Sequence, residues 1–163
     1  MTWKTHIVLG AVAGYCAYPS WKGILVGSTM ALFPDIDKAN SKAGKWIWPI
    51  SWLVEKGLGH RTLTHSWVIL LLPVFLIGDQ HVALAALYGL LSHLISDSIV
   101  GRIQLLWPLK KGWFGIPLPH FLYRFVDKVT FIGAWVYIIY LAFIEGIGFI
   151  SRTVRPLALA MEI

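Results

Sequence analysis

The residues in this chain with the types and spacing to do chemistry are His6, Asp35, Asp37, His60, His65, His93 and Asp97. His93 and Asp97 stand four apart. On a helix both side chains leave one face about 6 Å apart at Cβ and can grip a single ion. The bland reading of that pair is a buried His–Asp hydrogen bond between helices. Pro34-Asp35-Ile36-Asp37 closes an apolar run with two carboxylates two residues apart, able to face different partners as hard ligands or a general base. A solvated pair neutralised by Lys38 and Lys42 is its bland counterpart. His60-Arg61-Thr62-Leu63-Thr64-His65-Ser66 holds two imidazoles at a spacing of five, poor for one helical face. We therefore expect His65 on a first helical turn, with His60 and Arg61 in the loop before it. There the guanidinium can clamp a phosphate oxygen or meet a lipid headgroup.

Cys16 is the single cysteine, so no thiolate site can form and any ion must be held by nitrogen and oxygen. Four His and three Asp suit one or two Zn²⁺-like ions, and ligand type alone does not separate Zn²⁺ from Mn²⁺ or Fe²⁺. Such an ion acidifies water for hydrolysis. We assign His6, Asp35, Asp37, His65, His93 and Asp97 as metal ligands, Asp37, His60 and Arg61 as catalytic, and Arg61 with His120 as substrate-binding. Asp127 ranks behind them.

Which elements could bring these residues together? The 163-residue chain is 57% hydrophobic and 13% charged, with nine tryptophans and a mean hydropathy of +0.68, a composition whose natural solvent is a membrane. Hydrophobic regions run over about 7–33, 67–78, 82–100 and 129–150. The first is interrupted by Pro19, Ser20 and Lys22 and reads as two short helices with a turn near Tyr18 to Trp21. Gly78-Asp79-Gln80-His81 is a tight hairpin turn between the second and third. Thr62 or Thr64 is a suitable N-cap for the second. Lys45 to Lys56, with Trp46, Trp48 and Trp52, suits a helix lying flat among headgroups. We expect an all-α fold: one integral membrane domain over residues 1–163, a polytopic helical bundle with interfacial helices. The N-terminal segment has no basic n-region or cleavage site and is expected to be retained.

The chain carries 14 Lys+Arg against 8 Asp+Glu, a formal +6. The excess falls on the linkers at 35–64 and 101–128, which places them in the cytoplasm by the positive-inside rule; we read it as topology, with no nucleic acid as partner. A chain that zigzags in this way puts all seven chemical residues at one face of the membrane, with His81 at the opposite turn.

Together, Thr5-His6 with Gly10, Pro34-Asp35-Ile36-Asp37, His60 to Ser66, Ser92-His93-Leu94-Ile95-Ser96-Asp97 and Trp107-Pro108 resemble the YdjM-like family of LexA-regulated, membrane-bound proteins described as metal-dependent hydrolases. That family is distantly similar to the zinc-dependent phospholipase C and P1-nuclease superfamily. The resemblance implies an all-helical core of that kind in a multi-pass inner-membrane protein. It also implies a principal site from Asp35 or Asp37, His65, His93 and Asp97, with His6 serving a neighbouring ion bridged by Asp97. The soluble enzymes add a His-rich ligand set downstream; here His120 stands alone after Asp97, which favours one or two ions over three. The function expected is cleavage of a phosphoester of a lipid or lipid-linked substrate at the interface, with membrane lipids as partners and a homo-oligomer left open. The competing class is a metal sensor, regulator or transporter without hydrolytic activity.

Overall fold

The computed structural model describes residues 1–58 and 61–160, and among them the fold is all-helical. Seven α-helices follow in order: α1 Trp3–Ala17, α2 Trp21–Met30, α3 Lys42–Trp46, α4 Trp48–Leu58, α5 Trp67–Leu76, α6 Gln80–Val100 and α7 His120–Ala160. Two 3-10 turns, Phe33–Asp37 and Leu63–His65, carry Asp35, Asp37 and His65 between them.

The expected break in the first hydrophobic region falls at Tyr18 to Ser20. Tyr18 leaves the helical conformation as the C-cap of α1, and the Ser20 hydroxyl accepts the Gly23 N–H at 3.1 Å to start α2. At 15 and 10 residues, α1 and α2 are about 22 and 15 Å long. Neither reaches the roughly 20 residues that crossing a bilayer requires. The second region is likewise a half-length helix, α5, with Pro73 inside it. Among the described residues, two helices are long and apolar enough to cross a membrane: Gln80–Val100 and the His120–Gly146 part of α7.

Glycines let α1, α2 and α6 meet at backbone distance. A Cβ placed on Gly27 of α2 would lie 2.7 Å from Gly14 Cα and 2.9 Å from Gly14 N of α1; one on Gly89 of α6 would lie 2.9 Å from Gly27 Cα. Gly27 is thus wedged between both neighbours. Such small-residue seams hold helices together where lipid removes any hydrophobic gain from association. Beside the seam, Ile69, Leu90, Leu94 and Ile103 form a buried core, with Met30, Phe33, Leu70 and Leu105 against it.

α6 begins where the side chain of Asp79 accepts the His81 and Val82 N–H groups at 2.9 and 3.0 Å, so the polar hairpin turn is its N-cap. α7 starts at His120, nine residues before the hydrophobic region that signals it. Pro117 and Pro119 end the preceding loop, and the polar stretch His120 to Lys128 is already helical. Phe121, Phe125, Ile132, Val136, Ile139 and Phe143 of α7 stand exposed. Lipid is the surround that such a helix calls for.

Candidate metal centre

α1, α2 and α6 are packed so that the start of α1, the end of α2 and the last turns of α6 share one end of the bundle. The turn Phe33–Asp37 continues from α2, and the turn Leu63–His65 closes over it. His6, Asp37, His65, His93 and Asp97 are all buried there, and the Asp35 side chain keeps 20% exposure.

The hydrogen bonds on the outer side of each imidazole decide what its inner side offers. His93 Nδ1 lies 2.6 Å from the Ala31 carbonyl. A carbonyl only accepts, so Nδ1 carries the proton and Nε2 presents a lone pair. The Ser96 hydroxyl donates to the His93 carbonyl at 2.9 Å; its oxygen, 3.2 Å from His6 Nδ1, therefore accepts from that ring, and His6 Nε2 is again the lone-pair end. Thr64 spends its hydroxyl proton on Asp37, while His65 Nδ1 sits 3.1 Å from the Thr64 oxygen and 3.4 Å from Asp37 Oδ2. Both neighbours accept, so His65 Nδ1 donates. Partners of this kind fix the tautomer of metal-ligating histidines.

All three inward nitrogens consequently meet other electron-pair donors. His93 Nε2 and His65 Nε2 are 3.2 Å apart. Asp97 Oδ2 is 3.9 Å from the first and 3.7 Å from the second. His6 Nε2 is 3.2 Å from Asp97 Oδ1 and yet makes no hydrogen bond. The His6 and His93 rings stack at 3.9 Å. Ring nitrogens at this distance can share a proton or take a cation between them. Two Zn–N bonds of about 2.0–2.1 Å at the tetrahedral angle put their nitrogens about 3.4 Å apart, close to the separation of the two rings. Among the described residues, two groups have ligand atoms within 4.8 Å of one another: His65, His93 and Asp97, all buried, and His6, Asp35 and His93. Burial by itself pulls the His65 pKa down, but hydrogen bonds and charge from Asp37 and Asp97 outweigh it and raise the pKa above the ordinary 6.5.

His65 stands in the 3-10 turn ahead of α5, not on the first turn of a helix as its spacing from His60 suggests, because Thr64 and His65 are both drawn onto Asp37. Ser66, and neither Thr62 nor Thr64, is the N-cap of α5. Asp37 lies behind His65 and accepts the Arg61 N–H at 3.0 Å; Asp35 of the same turn approaches His93 Nε2 at 4.0 Å. Arg61 Nη2 donates to Asp97 Oδ2 at 2.8 Å, and the Met1 amine pairs with the other oxygen. Arg61 holds φ at +65°, in the left-handed region, with its N–H on Asp37 and its carbonyl accepting the Gln104 N–H at 3.0 Å. His120 is exposed at the start of α7, its ring stacked on Tyr123 at 6.3 Å. Asp127 accepts the Thr2 N–H at 2.8 Å and ties α7 to the start of α1. His60 lies outside the described residues.

Sequence reasoning missed four contributors: the Ala31 carbonyl, Ser96, Thr64 and Gly101. Ser96, one turn after His93 and before Asp97, had a positional signal. Gly101 had none, although a Cβ there would strike Arg61 Nη1.

A family profile described as YdjM inner membrane protein matches residues 1–160. The chain belongs to this family. The family is described as one of inner-membrane proteins, and among the described residues this chain has two helices of spanning length. It is also similar to the uncharacterized protein YvsG of Bacillus subtilis (strain 168), with 37% identity over 119 residues that cover 66% of this chain and 74% of that protein. No solved structure matches it.

Proposed function

We propose that this family member is a multi-pass, metal-dependent hydrolase that cleaves a phosphoester of a lipid or lipid-linked substrate at the cytoplasmic membrane interface. The observation that carries the reading is the convergence of the His65 and His93 Nε2 atoms and the Asp97 carboxylate on one buried point, with His6 Nε2 3.2 Å from the other Asp97 oxygen. The residues fit a divalent cation such as zinc, held by imidazole and carboxylate. His65, His93 and Asp97 would hold one ion, and His6 beside Asp97 would serve a neighbouring one, since His93 has a single Nε2 lone pair to give. A cation bound there would supply Lewis acidity, lowering the pKa of a water towards about 7 and offsetting phosphate charge.

The remaining work falls to side chains. Ala31, Ser96 and Asp37 keep the three rings in the tautomer that presents Nε2. Asp35, the one carboxylate of the three with access to solvent, is placed to take a proton from water at its Oδ1. Arg61, about a quarter exposed, holds Asp97 from the open side and can turn a further N–H to a phosphate oxygen. The proposed kinship with phospholipase C and P1 nuclease suggests the same reaction class. Exposed Trp3, Trp46, Trp48, Trp52 and Trp113 on the flanking elements suit the headgroup zone. Lys38, Lys42, Lys45 and Arg102 beside them favour the cytoplasmic side.

The test is elemental analysis of the purified protein together with turnover of a fluorescent phospholipid in vesicles. Zinc and turnover should both be present, and both should be lost in His93→Ala and Asp97→Ala. Absence of metal, with the variants behaving as wild type, would sink the proposal. Bound zinc without turnover of any phosphoester would move the reading to a metal sensor.

A further inference from the structure

An apolar groove of about 500 Å³ lies beside the metal centre, lined by Trp3, Leu32, Phe33, Ile36, Trp46 and Ile47 with Thr29 and Lys42 at its edge. That is the size of a small-molecule site. Its wall and the cluster are continuous: Phe33 and Ile36 share a 3-10 turn with Asp35 and Asp37, and Trp3 precedes His6 by three residues on α1. The rim is cationic. Lys4 Nζ stands 5.8 Å and Lys42 Nζ 5.6 Å from the centroid of the Trp3 ring, within the range at which an aromatic face attracts an ammonium. Trp3 thereby holds two positive charges over the mouth of a groove with almost no polar surface of its own.

We infer that this groove binds one acyl chain of an anionic phospholipid, with Lys4 and Lys42 at its rim facing the headgroup. An apolar slot suits the chain, and two ammoniums on its lip suit a phosphate with net negative charge. A zwitterionic lipid would bring a cation of its own to that lip. That the lipid is a substrate rests on the hydrolase reading above; that it binds does not.

The probe is phosphatidylcholine vesicles containing a small fraction of phosphatidylglycerol with a photoactivatable diazirine on its acyl chain, applied to the full-length reconstituted protein. Label should concentrate on Trp3, Leu32, Phe33 and Ile47. Excess unlabelled phosphatidylglycerol should displace it, and phosphatidylcholine should not. Lys42→Gln removes one charge, worth about a fivefold drop in preference for the anionic lipid. Thr29→Trp enters the groove from an exposed position and should abolish labelling there while zinc content stays at the wild-type level. Label spread over the exposed face of α7 without enrichment in the groove, or equal competition by the two lipids, would overturn the inference. Groove labelling in a protein that holds no zinc would leave the inference standing and remove the hydrolase reading instead.

Discussion

Replacing Gly27 with alanine adds one methyl group at the point where α2 meets α1. Its Cβ would sit 2.7 Å from Gly14 Cα, whereas carbon atoms rest at about 3.5–4.0 Å. α2 must therefore move off α1 by roughly 1 Å, against a fully packed α6 on its other side. Overpacking of this kind costs about 1–3 kcal/mol. The shift also reaches the candidate metal centre. Ala31 is the C-cap of α2, and its carbonyl fixes the tautomer of His93. Loss of such an outer partner lowers metal affinity about 10–100-fold. The assay pairs thermal unfolding in detergent with zinc titration against a fluorescent chelator, and Gly133→Ala serves as control because nothing lies within 4 Å of its added Cβ. Gly27→Ala should lose stability and zinc affinity together while the control keeps both. Wild-type zinc affinity in a Gly27→Ala protein of lowered melting temperature would refute the link from the seam to the site.

Ser96→Ala removes the acceptor that orients His6 and should lower zinc affinity about 10–100-fold with little change in melting temperature, read by the same titration. Gly101→Val drives the Arg61 guanidinium off Asp97. Losing that charged hydrogen bond should cost about 1.5–3 kcal/mol of stability, and Arg61→Lys should cost less than the valine does. In metal-free protein His65 should titrate above 6.5 by NMR of its ring nitrogens. Its contribution to stability is then fully present below 6.5 and lost as pH rises through the raised value; saturating zinc should abolish the titration.

Local chemistry was legible in the sequence and tertiary chemistry was not. Pro19 and Ser20 broke the first hydrophobic region because proline lacks the N–H and serine caps, and Asp79 marked the start of α6 for the latter reason. His93 and Asp97 shared a face because helical periodicity puts them there. The confluence of His6, Asp35, His65, His93 and Asp97 could be foreseen only as a common end of the bundle; their separations needed the coordinates. The tautomers were out of reach, since the carbonyl that sets His93 lies 62 residues away on another helix and the hydroxyl that sets His6 lies 90 away. Arg61 reads as a phosphate ligand in sequence because nothing there shows Asp97 facing it. Helix length, by contrast, was legible: the apolar run at about 67–78 holds the ten-residue helix Trp67–Leu76.

The proposed hydrolase stands on one buried point taking a cation. Crystals of the protein grown with zinc, measured on both sides of the zinc absorption edge, locate that ion directly. An anomalous peak is expected between the Nε2 atoms of His65 and His93 and the carboxylate of Asp97, and it should be absent in Asp97→Ala. A structure saturated with zinc that shows no peak there, or shows the His65–His93 gap bridged by a proton alone, would contradict the proposal.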